Sequence, residues 1–260
     1  MIGLDVGCQP SSAEEARQLL LGATRVAVLT GAGVSEESGV PTFRGAGGLW
    51  RQFRAEELAT GEAFVRNPRL VWEWYDWRRQ KIAAVEPNAA HRALAELEQR
   101  IVAPGSSQQP PGRVSSFTLI TQNVDDLHER AGSRRILRLH GDIWLLRCVG
   151  CGQQRRDRSV PLQPLPPACN CGALMRPGVV WFGELLPADV WTAAAAAAGM
   201  AEVLLVVGTS AVVQPAASLP VLALRAGARL IELNPEPTPL TALAHVSLQG
   251  KASEVLPRIV

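Results

Sequence analysis

The chain has 260 residues, 47% of them hydrophobic, and a formal net charge of +2. That length allows one large or two unequal domains with a full core, and the near-neutral charge argues against a dominant nucleic-acid or membrane footprint. No run of 18 apolar residues is present to span a bilayer, and Met1–Pro10 lacks the basic start and apolar core of an export signal. Lys81 and Lys251 are the only lysines, so arginine carries most of the positive charge. A bacterial, cytoplasmic, monomeric protein is expected.

Ser11–Leu21 reads as an amphipathic helix, with Ser11 or Ser12 as N-cap and Glu14 and Glu15 in its first turn. Arg25–Thr30 reads as a buried parallel strand that breaks at Gly31-Ala32-Gly33. Glycines in that place let backbone N–H groups approach an anionic phosphate, and helical sequence is expected from about Ser35. The G-x-G-x-x-G fingerprint is incomplete, because Glu36 stands at its third glycine and the next one is Gly39. Gly39–Gly45 (GVPTFRG) then sets Thr42, Phe43 and Arg44 on a loop just past the phosphate site. Helical periodicity fills residues 56–103, with one helix over Leu70–Val85 and another over Ala89–Val102, and Pro104–Arg113 is a polar loop.

Phe117–Thr121 is a second apolar strand ending at Gln122-Asn123, and Ile136–Leu139 a third ending at His140-Gly141. Residues 145–178 hold four cysteines and many prolines and read as an inserted module. Apolar sequence resumes at Val179–Phe182, and Ala193–Ala198 is helical by alanine content. Strand Val203–Val207 ends in Gly208-Thr209-Ser210, and strand Arg229–Leu233 in Asn234-Pro235-Glu236. Five short apolar strands thus end in small or polar residues. In an open parallel α/β sheet such ends border the ligand crevice, so they are expected to converge on one cleft.

Cys148-x2-Cys151 is followed after 17 residues by Cys169-x-Cys171. Four thiolates close a tetrahedral structural zinc site with no open position for substrate. Disulfides or inert thiols are the competing reading, disfavoured in a chain without an export signal. Cys8 has no evident partner. In Thr121–His128 (TQNVDDLH), Gln, Asn and Asp side chains suit a ribose and a carboxamide. His140, at a strand end, suits proton removal from a sugar hydroxyl. His128 reads as a packing residue, and His91 and His245 fall in helix and loop contexts without chemical neighbours.

The set GAGVS, GVPTFRG, TQNVDDLH, LHG, two cysteine pairs, VVWFGE, GTS and NPE, in this order, resembles the sirtuins, NAD-dependent protein-lysine deacylases, over about residues 20–258. The resemblance implies an α/β fold: a Rossmann-like doubly wound parallel sheet (residues 21–144 and 179–260, with a helical insertion at about 45–90) and a smaller inserted zinc-ribbon domain (145–178), after an N-terminal helix (1–20). It implies that His140 is the general base, with Asn123, and that Gln122, Asn123, Val124 and Asp125 serve the nicotinamide and ribose pocket. Gly31–Trp50, including Ala32, Gly33, Ser35, Thr42, Phe43, Arg44 and Trp50, would form the phosphate site and cofactor loop. Gly208, Thr209, Ser210, Asn234, Pro235 and Glu236 would hold the adenosine half, with Ala252 approaching adenine. Val179 and Val180, Trp181, Phe182, Gly183 and Glu184 would pair with an acyl-lysine peptide as an added strand. NAD would be consumed as co-substrate, yielding nicotinamide and 2′-O-acyl-ADP-ribose, beside one structural Zn²⁺.

Two departures point to a subgroup. Thr42 replaces the aspartate of many deacetylating sirtuins, and the second cysteine pair is shortened. Thr42 with the following Arg44–Gly48 resembles class III, which removes acidic acyl groups. Tyr75 and Arg78, three apart in a helical stretch, share a face and can grip a carboxylate. Class III members use such a pair for the distal carboxylate of succinyl- or malonyl-lysine. A generic deacetylase, a mono-ADP-ribosyltransferase and a non-enzymatic NAD sensor stay open as alternatives.

Overall fold

The computed structural model describes residues 12–42, 55–103 and 115–260. Helix α1 (Ser12–Gly22) leads into β1 (Arg25–Thr30), the one-turn α2 (Gly33–Glu36), and a helical block of α3 (Ala55–Leu58), α4 (Gly61–Arg66), α5 (Pro68–Ala83) and α6 (Ala89–Val102). β2 (Ser116–Thr121), α7 (Leu127–Arg130) and β3 (Ile136–Arg138) follow, then β4 (Gly141–Cys148), β5 (Gln154–Arg156) and β6 (Met175–Val179). The chain closes with α8 (Ala188–Met200), β7 (Val203–Val207), α9 (Leu219–Arg225), β8 (Arg229–Asn234), β9 (Val246–Gln249) and α10 (Ala252–Ile259). No helix among the described residues is long and apolar enough to cross a membrane.

The apolar strands form one parallel sheet in the order β3-β2-β1-β7-β8-β9. β1 and β7 are buried almost throughout because both faces are covered. Residues of α1, α6 and α10 share one core with the sheet, and residues of α8 and α9 share the core on its opposite side. The fold is therefore Rossmann-like and doubly wound. Strand order reverses between β1 and β7, which pair in register from Val26↔Val203 to Thr30↔Val207. A sheet of this order opens a crevice at that switch point, beyond the carboxyl ends of its strands.

The second sheet is antiparallel, β5-β4-β6, and β4 ends at the first cysteine. Helix α5 is fastened to it by polar side chains on one face, at i, i+4 and i+7. Trp72 Nε1 donates to Met175 O (2.7 Å), Asp76 Oδ1 accepts from Leu162 N (2.8 Å), and Arg79 Nη2 donates to Asp157 O (2.6 Å) and Ser159 O (3.0 Å). The fully buried Arg79 also lies 5.0 Å from the Trp144 ring centroid.

Two local outcomes differ from the sequence expectation. The helix after β1 is a single turn, stopped by Gly39 at φ +97°, so no long helix dipole stands behind the loop. The glycines there answer to the protein's own backbone. Gly31 N donates to Val207 O (3.1 Å) and Gly33 N to Gly208 O (2.9 Å), which commits both N–H groups to the β7 end and not to a phosphate. A Cβ on Gly31 or Gly33 would sit 2.7 or 2.9 Å from Gly208 O, and one on Gly208 (φ +58°) 2.6 Å from Val34 N.

Those contacts are backbone against backbone and have no flexible side chain to yield. Gly31→Ala should therefore lower unfolding stability by about 1–3 kcal/mol, as overpacking does, whereas Gly61→Ala, with open space around it, should not. Urea unfolding of the two variants checks this.

Candidate functional site

A cavity of about 580 Å³ lies at the switch point. All five polar strand ends contribute to its wall: Gly31–Gly33, Gln122–Val124, His140, Gly208–Ser210 and Asn234–Glu236. Thr42 lines it too, as do Ala59, Leu186 and residues 213–215, which sequence reasoning missed. The last three lie on the segment that continues from Gly208–Ser210 at the β7 end, so their place beyond that strand end was the available signal. Ser35 and Asp125 stand behind the wall, and Ala252, the first residue of α10, is not one of the lining residues. Phe43, Arg44, Trp50 and Cys8 lie outside the described residues.

His140 sits in the tight connection between β3 and β4. Its Nδ1 meets Gln122 O at 3.0 Å, so Nδ1 carries the proton and Nε2 keeps a lone pair. Burial lowers its pKa from the ordinary value, against that carbonyl hydrogen bond; the ring is a neutral base at neutral pH. Asn123 Nδ2 donates to Gly31 O (3.0 Å) and Ser35 Oγ (3.2 Å). Both amide protons are thereby committed, and Oδ1 is the atom able to accept from a sugar hydroxyl. Gln122 Nε2 donates to Thr209 Oγ1 (3.0 Å), bridging β2 and β7 ends.

Behind Asn123 runs a buried polar network. Ser35 Oγ donates to Asp125 Oδ2 (3.0 Å), and Asp125 Oδ1 accepts from Leu127 N (3.1 Å). Burial pushes the Asp125 carboxyl up, against those two hydrogen bonds. His91, expected to lack chemical neighbours, belongs to this network. It completes the α6 capping box with Asn88, reaches Ser35 Oγ at 3.4 Å, and lies 4.8 Å ring to ring from His128. His128 Nε2 contacts Thr30 Oγ1 (3.1 Å), which donates to Thr121 Oγ1 (2.9 Å), the acceptor for Asn123 N (3.0 Å). Its packing role therefore includes holding the strand end that presents Asn123. His245 accepts from Leu230 N (3.0 Å), away from the cavity.

The opposite wall comes from α5 and the segment after β6. Tyr75 and Arg78 both line the cavity and are nearly fully buried. Burial pushes the Tyr75 phenol up to about 12, against the Arg78 charge, so it stays a neutral hydrogen-bond donor at any physiological pH. Val180–Glu184 also lines the cavity. Val180 N donates to His140 O (2.9 Å), Phe182 N to Ala59 O (3.0 Å) and Trp181 N to Glu184 Oε2 (2.8 Å). Those three N–H groups already have protein partners, so a peptide pairing here would use the segment's carbonyls and Gly183.

The four cysteines meet at the end of the second sheet with all Sγ atoms within 4.8 Å of one another, and none is in a disulfide. Cys148 and Cys171 Sγ are 3.4 Å apart, Cys151 and Cys169 Sγ 3.7 Å. A tetrahedron with ~2.3 Å metal–sulfur bonds has edges of about 3.8 Å, so the set fits zinc despite the one-residue spacing of its second pair. Gly150 N and Cys151 N donate to Cys148 Sγ at 3.4 Å each, as N–H groups do around a bound thiolate.

Residues 31–215 match the family model described as the Sir2 family. The NAD-dependent protein deacylase of Aquifex aeolicus (strain VF5) is 52% identical over 235 residues, spanning 90% of this chain and 93% of the relative. An ADP-ribose complex of a Sir2 homologue variant superposes with a TM-score of 0.86 at 48% identity, covering 95% of this chain and 94% of that one. A complex of Sir2 with a p53 peptide and NAD⁺ does so with a TM-score of 0.80 at 31% identity, covering 95% and 96%.

The paired histidines behind the wall carry a pH signature. Burial holds His91 down to about 3, with Arg92 adding to it, and holds His128 well below its ordinary value, with His91 and Arg138 adding. The unfolded chain takes up protons near pH 6.5 while the folded one does not, so stability is complete above that pH and falls as pH drops. Each histidine contributes up to about 1.4 kcal/mol per pH unit. Urea unfolding at pH 7.5, 6 and 5 should show this decline, and His91→Asn should make it shallower.

Proposed function

The chain belongs to the Sir2 family as an NAD-dependent protein-lysine deacylase, and we propose that its cavity prefers acidic acyl groups, succinyl and malonyl, to acetyl. The observation that carries this reading is the pairing of Tyr75 and Arg78 in the same cavity as His140. Burial lowers the Arg78 pKa from its ordinary value, against Tyr75 and Asp125; a carboxylate arriving beside it strengthens the charged form. A phenol and a guanidinium offer donors, and an acetyl methyl has nothing to accept them.

The residues on the switch-point side fit the co-substrate. The strand ends form a wall of backbone and small polar groups around Gly31, Gly33 and Gly208. NAD⁺, when bound, supplies a ribose carbon from which nicotinamide departs, and the acyl group is carried away on ADP-ribose. Gly31–Gly33 and Thr42 would border the phosphates and Gly208–Ser210 with Asn234–Glu236 the adenosine. Asn123 Oδ1 would orient a ribose hydroxyl, and His140 Nε2 would take its proton, with the charge of the resulting imidazolium held by the Gln122 carbonyl at Nδ1. Ala59, Val180 and Leu186 line the cavity with apolar surface, which keeps water from the reacting centre. The acyl-lysine arrives from the Val180–Glu184 side with its acyl end directed to α5.

A panel of acetyl-, malonyl-, succinyl- and glutaryl-lysine peptides, with and without NAD⁺, tests the preference. Tyr75→Phe and Arg78→Met should raise KM for succinyl- and malonyl-lysine by about ten-fold or more, the worth of a charge-assisted hydrogen bond, and affect acetyl-lysine far less. Equal losses on all acyl groups would refute the carboxylate role. His140→Tyr should abolish turnover of every peptide while leaving zinc content unchanged.

A further inference from the structure

The phenol of the acyl pocket has a dedicated partner. Trp181 Nε1 donates to Tyr75 Oη over 2.9 Å, across 106 residues of sequence. An indole has one donor and no acceptor. The direction of this hydrogen bond is therefore fixed, and the phenol's own hydrogen has to go elsewhere. A water molecule in the same place could donate or accept, and would leave that hydrogen free to turn away from the cavity.

The indole is itself held. Phe64 packs against it with ring centroids 5.4 Å apart. The Arg176 guanidinium lies 3.5 Å from its centroid on one face. Arg176 pairs with Glu184 at 2.5 Å, and Glu184 accepts the backbone N–H of Trp181 at 2.8 Å. Ring plane and backbone are thus fixed by the same Arg176–Glu184 pair, and the N–H has one direction in which to point.

We propose that Trp181 is a specificity-determining residue: its indole N–H occupies the acceptor side of the Tyr75 oxygen and so presents the phenol hydrogen, beside the Arg78 guanidinium, to an acyl carboxylate. The indole acts through Tyr75, so its effect exists only while Tyr75 keeps its hydroxyl. This inference rests on the acidic-acyl reading of the same cavity.

A double-mutant cycle separates the two. Trp181→Phe keeps an aromatic ring for Phe64 and Arg176 while removing the donor, and the Tyr75→Phe background cancels what the smaller ring costs in packing. It should lower the succinyl-to-acetyl ratio of kcat/KM by about five-fold, the size of one neutral hydrogen bond, and should leave the ratio unchanged in a Tyr75→Phe background. Tyr75 is the only tyrosine in the chain, so ¹³Cζ-tyrosine labelling gives one resonance. Succinyl-peptide should shift it more in the wild type than in Trp181→Phe. An equal fall of the ratio in both backgrounds, no fall in either, or parallel loss on succinyl and acetyl peptides overturns the proposal. If Tyr75→Phe alone leaves the ratio intact, the acidic-acyl reading fails instead. Arg176→Gln, which loosens the ring without deleting it, runs through the same cycle if Trp181→Phe does not fold.

Discussion

Where β1 and β7 end, Gly31 and Gly33 lie against Gly208 and Thr209 with no room for a side-chain carbon on any of the three glycines. That seam is where the sheet order reverses, so neighbouring connections leave it in opposite directions and a crevice opens above it. Each strand end that borders the crevice must then supply groups that tolerate a polar ligand: Gln122 and Asn123 from β2, Thr209 from β7, Asn234 from β8. Closeness at the seam also makes the wall rigid. Gln122 Nε2 reaches Thr209 Oγ1, and Asn123 Nδ2 reaches Gly31 O, contacts that exist only because three chain segments meet within a few ångströms.

The cavity has two chemical ends of opposite sense. At the switch point the groups with spare capacity are acceptors, His140 Nε2 and Asn123 Oδ1, each made so by spending its protons on protein carbonyls and a hydroxyl. At α5 the groups are donors, a phenol and a guanidinium. Neutrality of the histidines serves the first end. His91 and His128 touch each other and stay uncharged through burial; a charge on either would be unsolvated beside the hydroxyls of Thr30 and Ser35, and the strand end carrying Asn123 depends on those hydroxyls.

Much of this was readable locally. Apolar runs marked β1, β2, β7 and β8 because buried parallel strands need both faces apolar, and helical periodicity marked α6 at its observed bounds, Ala89–Val102. The four cysteines and the Tyr75–Arg78 spacing were legible as short-range patterns. What escaped depended on partners distant in sequence. The glycines after β1 are required by Gly208, some 175 residues on, and not by a ligand's approach alone. His91 gained neighbours only when α6 packed against α2 and α7, and nothing local in VVWFGE says that an indole will meet the sole phenol. β9 and α10 were missed because a four-residue strand and an eight-residue helix carry little periodic signal.

Helix α5 joins the two halves of the molecule. Tyr75 and Arg78 line the cavity, while Trp72, Asp76 and Arg79, on the adjoining face, hydrogen-bond to backbone of β6 and of the loop between β5 and β6. Backbone partners are rigid in a way that side-chain partners are not, so the bonds of these three side chains fix the rotation of the helix about its axis. A rotation of one residue's worth, about 100°, would carry Tyr75 out of reach of Trp181 and the guanidinium out of the cavity. The loop that Arg79 and Asp76 hold runs between the two cysteine pairs, and its ends are closed where the four thiolates gather. A metal bound there would contribute no orbital to the reaction. It would constrain the loop, the loop constrains the face of α5 that it contacts, and that face sets where the donors on the next one point.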